Sequence, residues 1–131
     1  MTRILLVEDD ADQRDNLQMI LQKAFASYEI VAIGSLKEAK GKIKELWSVS
    51  LIVADYQLSD GNGYELLEYC QVHLTNVPFI VITAYGRDEE KEVRAALSFQ
   101  KGAFDFMNKP IDPDELIERI KHALQIAADL A

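Results

Sequence analysis

Short apolar segments alternate with longer amphipathic segments along the whole chain. Residues 4–7 and 51–54 are apolar throughout, which is typical of strands that are buried on both faces of a sheet. Three more short segments predict strands by the same pattern of an apolar run bounded by turn residues. These segments are residues 28–33, 79–83 and 103–107.

The segments that follow these strands carry apolar residues at helical spacing. Asp10 with Gln13, and Ser35 with Glu38, match the capping-box pattern that marks where a helix begins. Asp112 precedes a proline and two acids, which is typical of a helix start. The predicted inward stripes are Leu17, Ile20, Leu21 and Ala24; Leu36, Ala39, Ile43 and Leu46; Leu67, Cys70 and Leu74 at residues 64–74; Val93, Ala96 and Leu97 at residues 87–100; and Leu116, Ile120, Ala123, Leu124 and Ala127.

Five strand–helix pairs in strict alternation predict an α/β fold. Right-handed crossovers between such pairs give a parallel sheet with helices on both faces. The chain has 131 residues, which suits a single domain with a substantial core. The expected domain therefore covers residues 1–131.

Polar side chains stand at the carboxyl ends of four of these strands. In an open parallel sheet, that edge is where ligands bind. Each residue alone has an ordinary explanation as a turn, helix-start, strand or solvated loop residue, but five complementary groups on one edge favour a site. They are Glu8 and Asp9 after the first strand, Asp55 at the end of the third, Thr83 at the end of the fourth and Lys109 after the fifth.

The chemistry of these groups favours a cation and a phosphoryl group. Three crowded carboxylates repel one another, and a divalent cation relieves that repulsion. A few oxygen ligands with positions left open suit Mg²⁺ better than Zn²⁺ or Ca²⁺. Lys109 and Thr83 add a positive charge and a hydroxyl for phosphoryl oxygens. An ionised Asp55 is then a nucleophile that can form an aspartyl phosphate.

Composition excludes several other classes of protein. Hydrophobic residues make up 49% of the chain and charged residues 27%, as in ordinary globular domains. No apolar run approaches the roughly 20 residues of a membrane span, and the N-terminus lacks a signal-peptide pattern, so we expect a cytoplasmic protein. The net charge of −8 argues against nucleic-acid binding by this domain. One cysteine, Cys70, allows no internal disulfide, and His73 and His122 lie on separate predicted helices.

Four motifs carry a resemblance to a known family. They are Leu-Leu-Val-Glu-Asp-Asp at residues 5–10, Val-Ala-Asp-Tyr-Gln-Leu-Ser-Asp-Gly-Asn-Gly at 53–63, Ile-Val-Ile-Thr-Ala-Tyr at 80–85 and Gly-Ala-Phe-Asp-Phe-Met-Asn-Lys-Pro at 102–110. Over essentially its full length the chain resembles the receiver domain of two-component response regulators. The resemblance implies a flavodoxin-like, doubly wound three-layer sandwich with five helices and the strand order 2-1-3-4-5, which is also the order that chemotaxis receivers exemplify.

The resemblance also implies a role for each site residue. Asp55 would accept a phosphoryl group from the phosphohistidine of a partner histidine kinase or phosphotransfer protein. Asp9 would bind Mg²⁺ directly, Glu8 mainly through water, and the backbone carbonyl of Gln57 would be a further ligand together with Asp55 itself. Thr83 would contact the phosphoryl group.

Lys109 would contact the same phosphoryl group, and the Lys109–Pro110 peptide would be cis, which an X-Pro bond permits at modest cost. The implied chemistry is self-modification, with phosphorylation and dephosphorylation of the domain itself and no turnover of a released substrate.

Phosphorylation is expected to change the output face of the domain through movements of Thr83 and Phe106. In the family, the threonine moves toward the phosphate and an aromatic residue of the fifth strand turns inward. Many relatives have tyrosine where this chain has Phe106, so a switch here would act by packing alone; the alternative is an ordinary surface apolar residue. The implied output face is the fourth helix, fifth strand and fifth helix, which would contact an output domain, a partner or a second copy.

Two features of the sequence depart from the family or modulate its chemistry. Thr83 and Lys109 are 26 positions apart, about four more than the resemblance implies, which is about one helical turn. We therefore expect a longer fourth helix or preceding loop between Tyr85 and Gly102. Gln57 and Tyr85 would flank the phosphate, and bulky Tyr85 is expected to hinder the attacking water and lengthen the phosphorylated state.

Two other functions compete with the signalling switch. A Mg²⁺-dependent phosphohydrolase would use the same aspartyl nucleophile, but such enzymes usually carry a second acid two residues later, where this chain has Gln57. A receiver-like binding module that is never phosphorylated would not need the complete set of acids, threonine and lysine. Dinucleotide binding is disfavoured because no glycine-rich fingerprint follows the first strand.

Overall fold

The computed structural model describes residues 2–45, 48–74, 76–84 and 105–130. Within these ranges the elements are β1 (Arg3–Val7), α1 (Ala11–Ala24), β2 (Glu29–Ile33), α2 (Leu36–Lys44), β3 (Leu51–Asp55), β4 (Gln57–Leu58), β5 (Gly61–Asn62), α3 (Gly63–His73), β6 (Phe79–Thr83), β7 (Asp105–Asn108) and α4 (Pro113–Leu130).

Five strands form one parallel sheet in the order β2-β1-β3-β6-β7. This is the predicted order 2-1-3-4-5, because β4 and β5 belong to a separate antiparallel pair. The α/β fold with a doubly wound, flavodoxin-like sheet is therefore confirmed. The register places Val7 beside Ala54 and Ala54 beside Val81, so the central strands end at the same edge.

The sheet separates two apolar core layers. Alternate residues of one strand enter different layers, since successive side chains of a strand point to opposite faces: Leu5 and Val7 pack with α2 and α3, whereas Ile4 and Leu6 pack with α1 and α4. All four are fully buried. Burial on both faces explains why the central strands lack any polar alternation.

Most predicted stripes are buried in these layers. The buried members include Leu17 and Leu21 of α1, Leu36, Ala39 and Ile43 of α2, Leu67 and Cys70 of α3, and Leu116, Ile120 and Ala123 of α4. Burial raises the pKa of the Cys70 thiol to about 12, as for an unreactive core cysteine. His73 and His122 are exposed on α3 and α4.

The two helix starts predicted from capping boxes are correct, but the capping boxes are not complete. Asp10 Oδ1 accepts the Gln13 N–H at 2.9 Å. The Asp10 N–H, however, donates to Glu8 Oε2 at 3.3 Å, so the Gln13 side chain does not return to it. The Ser35 hydroxyl accepts the Glu38 N–H at 3.1 Å. The same hydroxyl donates to the Glu38 carboxylate at 3.3 Å, whereas in a complete capping box that carboxylate would accept the Ser35 N–H.

Other boundaries differ from the prediction. The hairpin of β4 and β5 was not expected, since two-residue strands leave no readable periodicity. Helix α3 begins at Gly63 and ends at His73, one residue earlier at each end than predicted, with Asn62 as its cap. Leu66, which the predicted stripe omits, is fully buried, and Leu74 is only partly buried.

Some expectations lie outside the described residues. The predicted fourth helix at residues 87–100, the extra length between Tyr85 and Gly102 and the shielding role of Tyr85 all lie there. So do Leu46 of the second stripe and the first two residues of the predicted strand at 103–107. These remain predictions.

Candidate functional site

Three polar residues are buried at the carboxyl edge of the sheet. Glu8 is 2% exposed, Asp55 6% and Thr83 1%, and within the described ranges they are the only polar or charged residues that are this deeply buried. Each follows or ends a strand whose apolar side chains pack into the core. The register of β1, β3 and β6 therefore carries these side chains to one place.

Lys109 joins the acids at this edge. Its Nζ donates to Asp55 Oδ2 at 2.6 Å and to Glu8 Oε1 at 2.8 Å. The Lys109 N–H donates to the Thr83 carbonyl at 2.8 Å, which fixes the start of the loop after β7, and the Lys109–Pro110 peptide is cis. One ammonium thus bridges two buried carboxylates that lie 101 and 54 positions away in sequence.

Asp9 completes an acidic cluster with the two buried acids. Ligand oxygens of Glu8, Asp9 and Asp55 lie within 4.8 Å of one another, and Asp9 is exposed to solvent. The Gln57 N–H donates to Asp55 Oδ1 at 3.1 Å and holds that carboxylate in place. An all-oxygen set with one open side is the kind of group that Mg²⁺ prefers.

The site carries more negative charge than one lysine neutralises. Burial raises the pKa of the Glu8 carboxyl to about 7; the hydrogen bond from Lys109 lowers this pKa, and the charge of Asp55 raises it. Burial alone would lower the pKa of Lys109, but its hydrogen bonds to Asp55 and Glu8 raise it. A second cation is therefore favourable here once Glu8 is ionised.

Thr83 has a hydroxyl that no described residue engages. Its Oγ1 is buried without a hydrogen-bond partner, although a buried hydroxyl normally has one.

Phe106, the other predicted switch residue, is partly buried on β7 and packs against the core layer that contains Val81. The same layer receives alternate side chains of β6, so the two predicted switch residues lie on one face of neighbouring strands.

Glycine is required where the loop after β3 folds back on itself. The Gly63 N–H donates to the Tyr56 carbonyl at 2.8 Å. A Cβ at position 63 would lie 2.6 Å from the Asp55 carbonyl oxygen, closer than any real contact. The loop that carries Asp55 and Gln57 is therefore closed by a residue without a side chain.

Sequence reasoning missed two residues that contact the site from α1. Gln13 Oε1 accepts a hydrogen bond from Lys109 Nζ. Arg14 Nη1 donates to the Glu8 carbonyl at 2.9 Å. A Cβ added at Gly34 would lie only 2.8 Å from this nitrogen. The available signal was the position of both residues in the first turns of the helix that follows Glu8 and Asp9.

Comparison with known proteins agrees with this geometry. The family model of the response regulator receiver domain matches residues 4–121. The chain belongs to the response regulator receiver domain family. The receiver domain is similar in structure to the CheY-like receiver protein of Methanospirillum hungatei JF-1, with a TM-score of 0.85, 30% identity and coverage of 100% of this chain and 99% of that one. The beryllofluoride-activated NtrC4 receiver domain dimer has a TM-score of 0.83 and 31% identity, covering 97% and 99% of the two chains.

Curated relatives are longer transcriptional and response regulators. The phosphate regulon transcriptional regulatory protein PhoB of Escherichia coli (strain K12) is 29% identical over 131 residues, which are 98% of this chain and 54% of PhoB. The response regulator protein PilR of Pseudomonas aeruginosa is 31% identical over 124 residues, 95% of this chain and 26% of PilR. The receiver domain thus spans about half the length of PhoB and about a quarter of PilR.

Of the helices in the described ranges, none combines the length and the apolar character that a bilayer span requires. The family membership makes this chain a regulatory domain of two-component signalling.

Proposed function

We propose that this receiver domain accepts a phosphoryl group on Asp55 from the phosphohistidine of a partner kinase or phosphotransfer protein, with Mg²⁺ as the cofactor. The observation that carries the proposal is the Lys109 bridge between Asp55 and Glu8 at 2.6 and 2.8 Å. It places a fixed cation at Asp55, a buried carboxylate that is also held by the Gln57 N–H of its own loop.

The residues of the cluster fit a magnesium ion. Their oxygens lie within 4.8 Å of one another, and burial, together with the charge of Asp55, raises the pKa of Glu8. Glu8, Asp9, Asp55 and the Gln57 carbonyl would hold the ion. When bound, Mg²⁺ neutralises charge on the phosphoryl oxygens.

The transfer itself needs a nucleophile and groups that stabilise charge. A carboxylate oxygen of Asp55 attacks phosphorus, the bond between phosphorus and the imidazole nitrogen breaks, and the imidazole keeps the electron pair. Lys109 offers its ammonium to a phosphoryl oxygen as the Asp55 oxygen becomes part of the acyl phosphate. The unpartnered Thr83 hydroxyl is a second donor for the same group, so capture of the phosphate supplies the hydrogen bond that Thr83 lacks.

Phosphorylation is proposed to act on output through Thr83 and Phe106. Movement of Thr83 toward the phosphate would free space beside β7 and let Phe106 repack by shape alone. The affected face would control an output domain or partner, or pair with a second copy; the NtrC4 relative is described as an activated dimer. A cytoplasmic location and a domain spanning residues 1–131 remain predictions.

Phosphorylation can be tested by mass. The chain is incubated with Mg²⁺ and acetyl phosphate, and the intact mass is measured for wild type and for Asp55→Asn. A single phosphate adduct that requires both Asp55 and Mg²⁺ is expected. The proposal fails if the adduct persists in Asp55→Asn, or if wild type takes no phosphate from acetyl phosphate, phosphoramidate or a phosphorylated histidine phosphotransfer domain.

A further inference from the structure

Gln13 occupies a position from which it can control the lysine of the site. It is the third residue of α1, and its own N–H is engaged by Asp10 Oδ1. Because the Asp10 N–H is bound by Glu8 Oε2, the Gln13 side chain is not used in the helix cap. It instead crosses to the loop after β7, where its Oε1 accepts from Lys109 Nζ.

The ammonium of Lys109 is fully engaged by three acceptors. Its three protons meet Asp55 Oδ2, Glu8 Oε1 and Gln13 Oε1. Lysine has no acceptor, so Gln13 must present its carbonyl oxygen and not its amide nitrogen. Gln13 differs from the other two acceptors because it is neutral and lies outside the acidic cluster.

We propose that Gln13 is a positioning residue for Lys109, which holds the ammonium in place before and during phosphoryl transfer to Asp55. This inference rests on the proposed function. Phosphorylation uses one oxygen of Asp55 for the new bond to phosphorus, and a bound cation interacts with Glu8. Two of the three acceptors therefore change their hydrogen bonding to Lys109. Gln13 alone keeps its oxygen free for Lys109 throughout.

The physical reason is the flexibility of lysine. A four-carbon stem carries an ammonium through many rotamers, and fixing it costs conformational entropy. A charge that is already placed where negative charge develops needs no reorganisation during the reaction. One hydrogen bond of this kind corresponds to about a three- to tenfold change in rate.

Gln13→Met tests the proposal because methionine keeps the length of the side chain and removes the acceptor. Phosphorylation by acetyl phosphate at saturating Mg²⁺ is expected to slow by about three- to tenfold, with the Mg²⁺ dissociation constant changed by less than about twofold. Asn16→Met is the control: Asn16 lies one turn along α1 and lines the same cavity of about 510 Å³ as Gln13 and Lys109, and its substitution should leave the rate unchanged.

A double-mutant cycle separates positioning from a structural role. In a Lys109→Ala background, Gln13→Met should have no further effect on the rate. Equal slowing in both backgrounds, or slowing by Asn16→Met as well, would show that Gln13 acts on the fold or on the donor and would overturn the proposal. Gln13→Glu, which keeps an acceptor oxygen, should restore most of the rate.

A readout without phosphorylation comes from side-chain NMR of the metal-free protein. The Lys109 ε-methylene should be rigid in wild type and mobile in Gln13→Met; unchanged mobility contradicts the inference. If wild type takes phosphate but Gln13→Met matches it in rate and mobility, this inference alone fails. If wild type takes no phosphate, the proposed function fails first, and the mobility measurement still decides whether Gln13 fixes Lys109.

Discussion

Asp60 caps a helix that begins 24 residues before it: its Oδ1 accepts the Leu36 N–H at 2.8 Å. Its second oxygen accepts the Lys37 N–H at 2.9 Å. These two bonds lower the pKa of the Asp60 carboxyl, because the N-terminus of α2 favours a negative charge. The hairpin of β4 and β5, which follows Asp55, is thereby fastened to α2.

Removal of this remote cap should destabilise the fold. Asp60→Ala is expected to lower the free energy of unfolding by about 1 kcal/mol, the usual cost of a lost cap. Asp60→Asn keeps one acceptor and should cost less. Urea unfolding measures both, with exposed neighbour Ser59→Ala as a control; a cost for Ser59→Ala equal to that of Asp60→Ala would mean that the cap is not the cause.

Two glycines should respond in opposite directions to alanine. Gly63→Ala places a methyl group against the Asp55 carbonyl and should destabilise the protein by about 2 kcal/mol, as overpacking does. Gly41 lies in α2 with nothing within 4 Å of the added Cβ, so Gly41→Ala should stabilise by about 0.5–1 kcal/mol. Denaturant unfolding midpoints measure both changes in stability. A shift in the same direction for the two variants would contradict the packing argument.

Magnesium binding should depend on pH through Glu8. Its pKa of about 7 means that Mg²⁺ displaces a proton below neutrality, so affinity should fall by up to about tenfold per pH unit below pH 7. Calorimetry in buffers of different ionisation enthalpy would detect the released proton. Affinity that is flat from about pH 5.5 to 8 contradicts this linkage.

Glu8 should also set the pH dependence of stability without metal. When the pKa of a carboxyl is higher in the folded state than in the unfolded state, the carboxyl stabilises the fold at pH values below its unfolded-state pKa. This contribution is lost as the pH rises through the folded-state pKa. As the pH rises from the ordinary pKa of Glu8, 4.5, to its folded-state pKa of about 7, the thermal stability of the metal-free protein should therefore fall. Mg²⁺ should restore it. Glu8→Gln should remove this dependence; if the slope persists in Glu8→Gln, another group causes it.

Loss of Lys109 should leave two buried acids without a cation. Lys109→Met is expected to cost about 3 kcal/mol in metal-free protein at neutral pH, as for a broken buried ion pair. Mg²⁺ should recover part of that loss. Lys121→Met, at an exposed position of α4, is the matched control and should be nearly neutral in thermal melts.

The sequence was sufficient to predict the parts of the site that depend on strand register. Glu8, Asp55 and Thr83 each end or follow an apolar run, and parallel pairing brings such ends together regardless of side-chain detail. Lys109 was predicted for the same reason.

What could not be predicted depends on side-chain direction and on contacts between distant parts of the chain. Gln13 reads as half of a capping box, yet its side chain binds Lys109, 96 positions later. Asp60 reads as a turn residue, and no local pattern reveals that it caps α2. The strands β4 and β5 are too short for alternation to be visible.

The contact between Glu8 and Lys109 joins the two ends of the domain. A ribosome that has made β1, β3 and β6 has produced all three buried polar residues of the site but not the ammonium that neutralises them. Any nascent or proteolysed chain that stops before position 109 therefore lacks the ammonium that binds Glu8 and Asp55. Under the proposed function, the charge that would stabilise the phosphoryl group is thus the last part of the site to be synthesised.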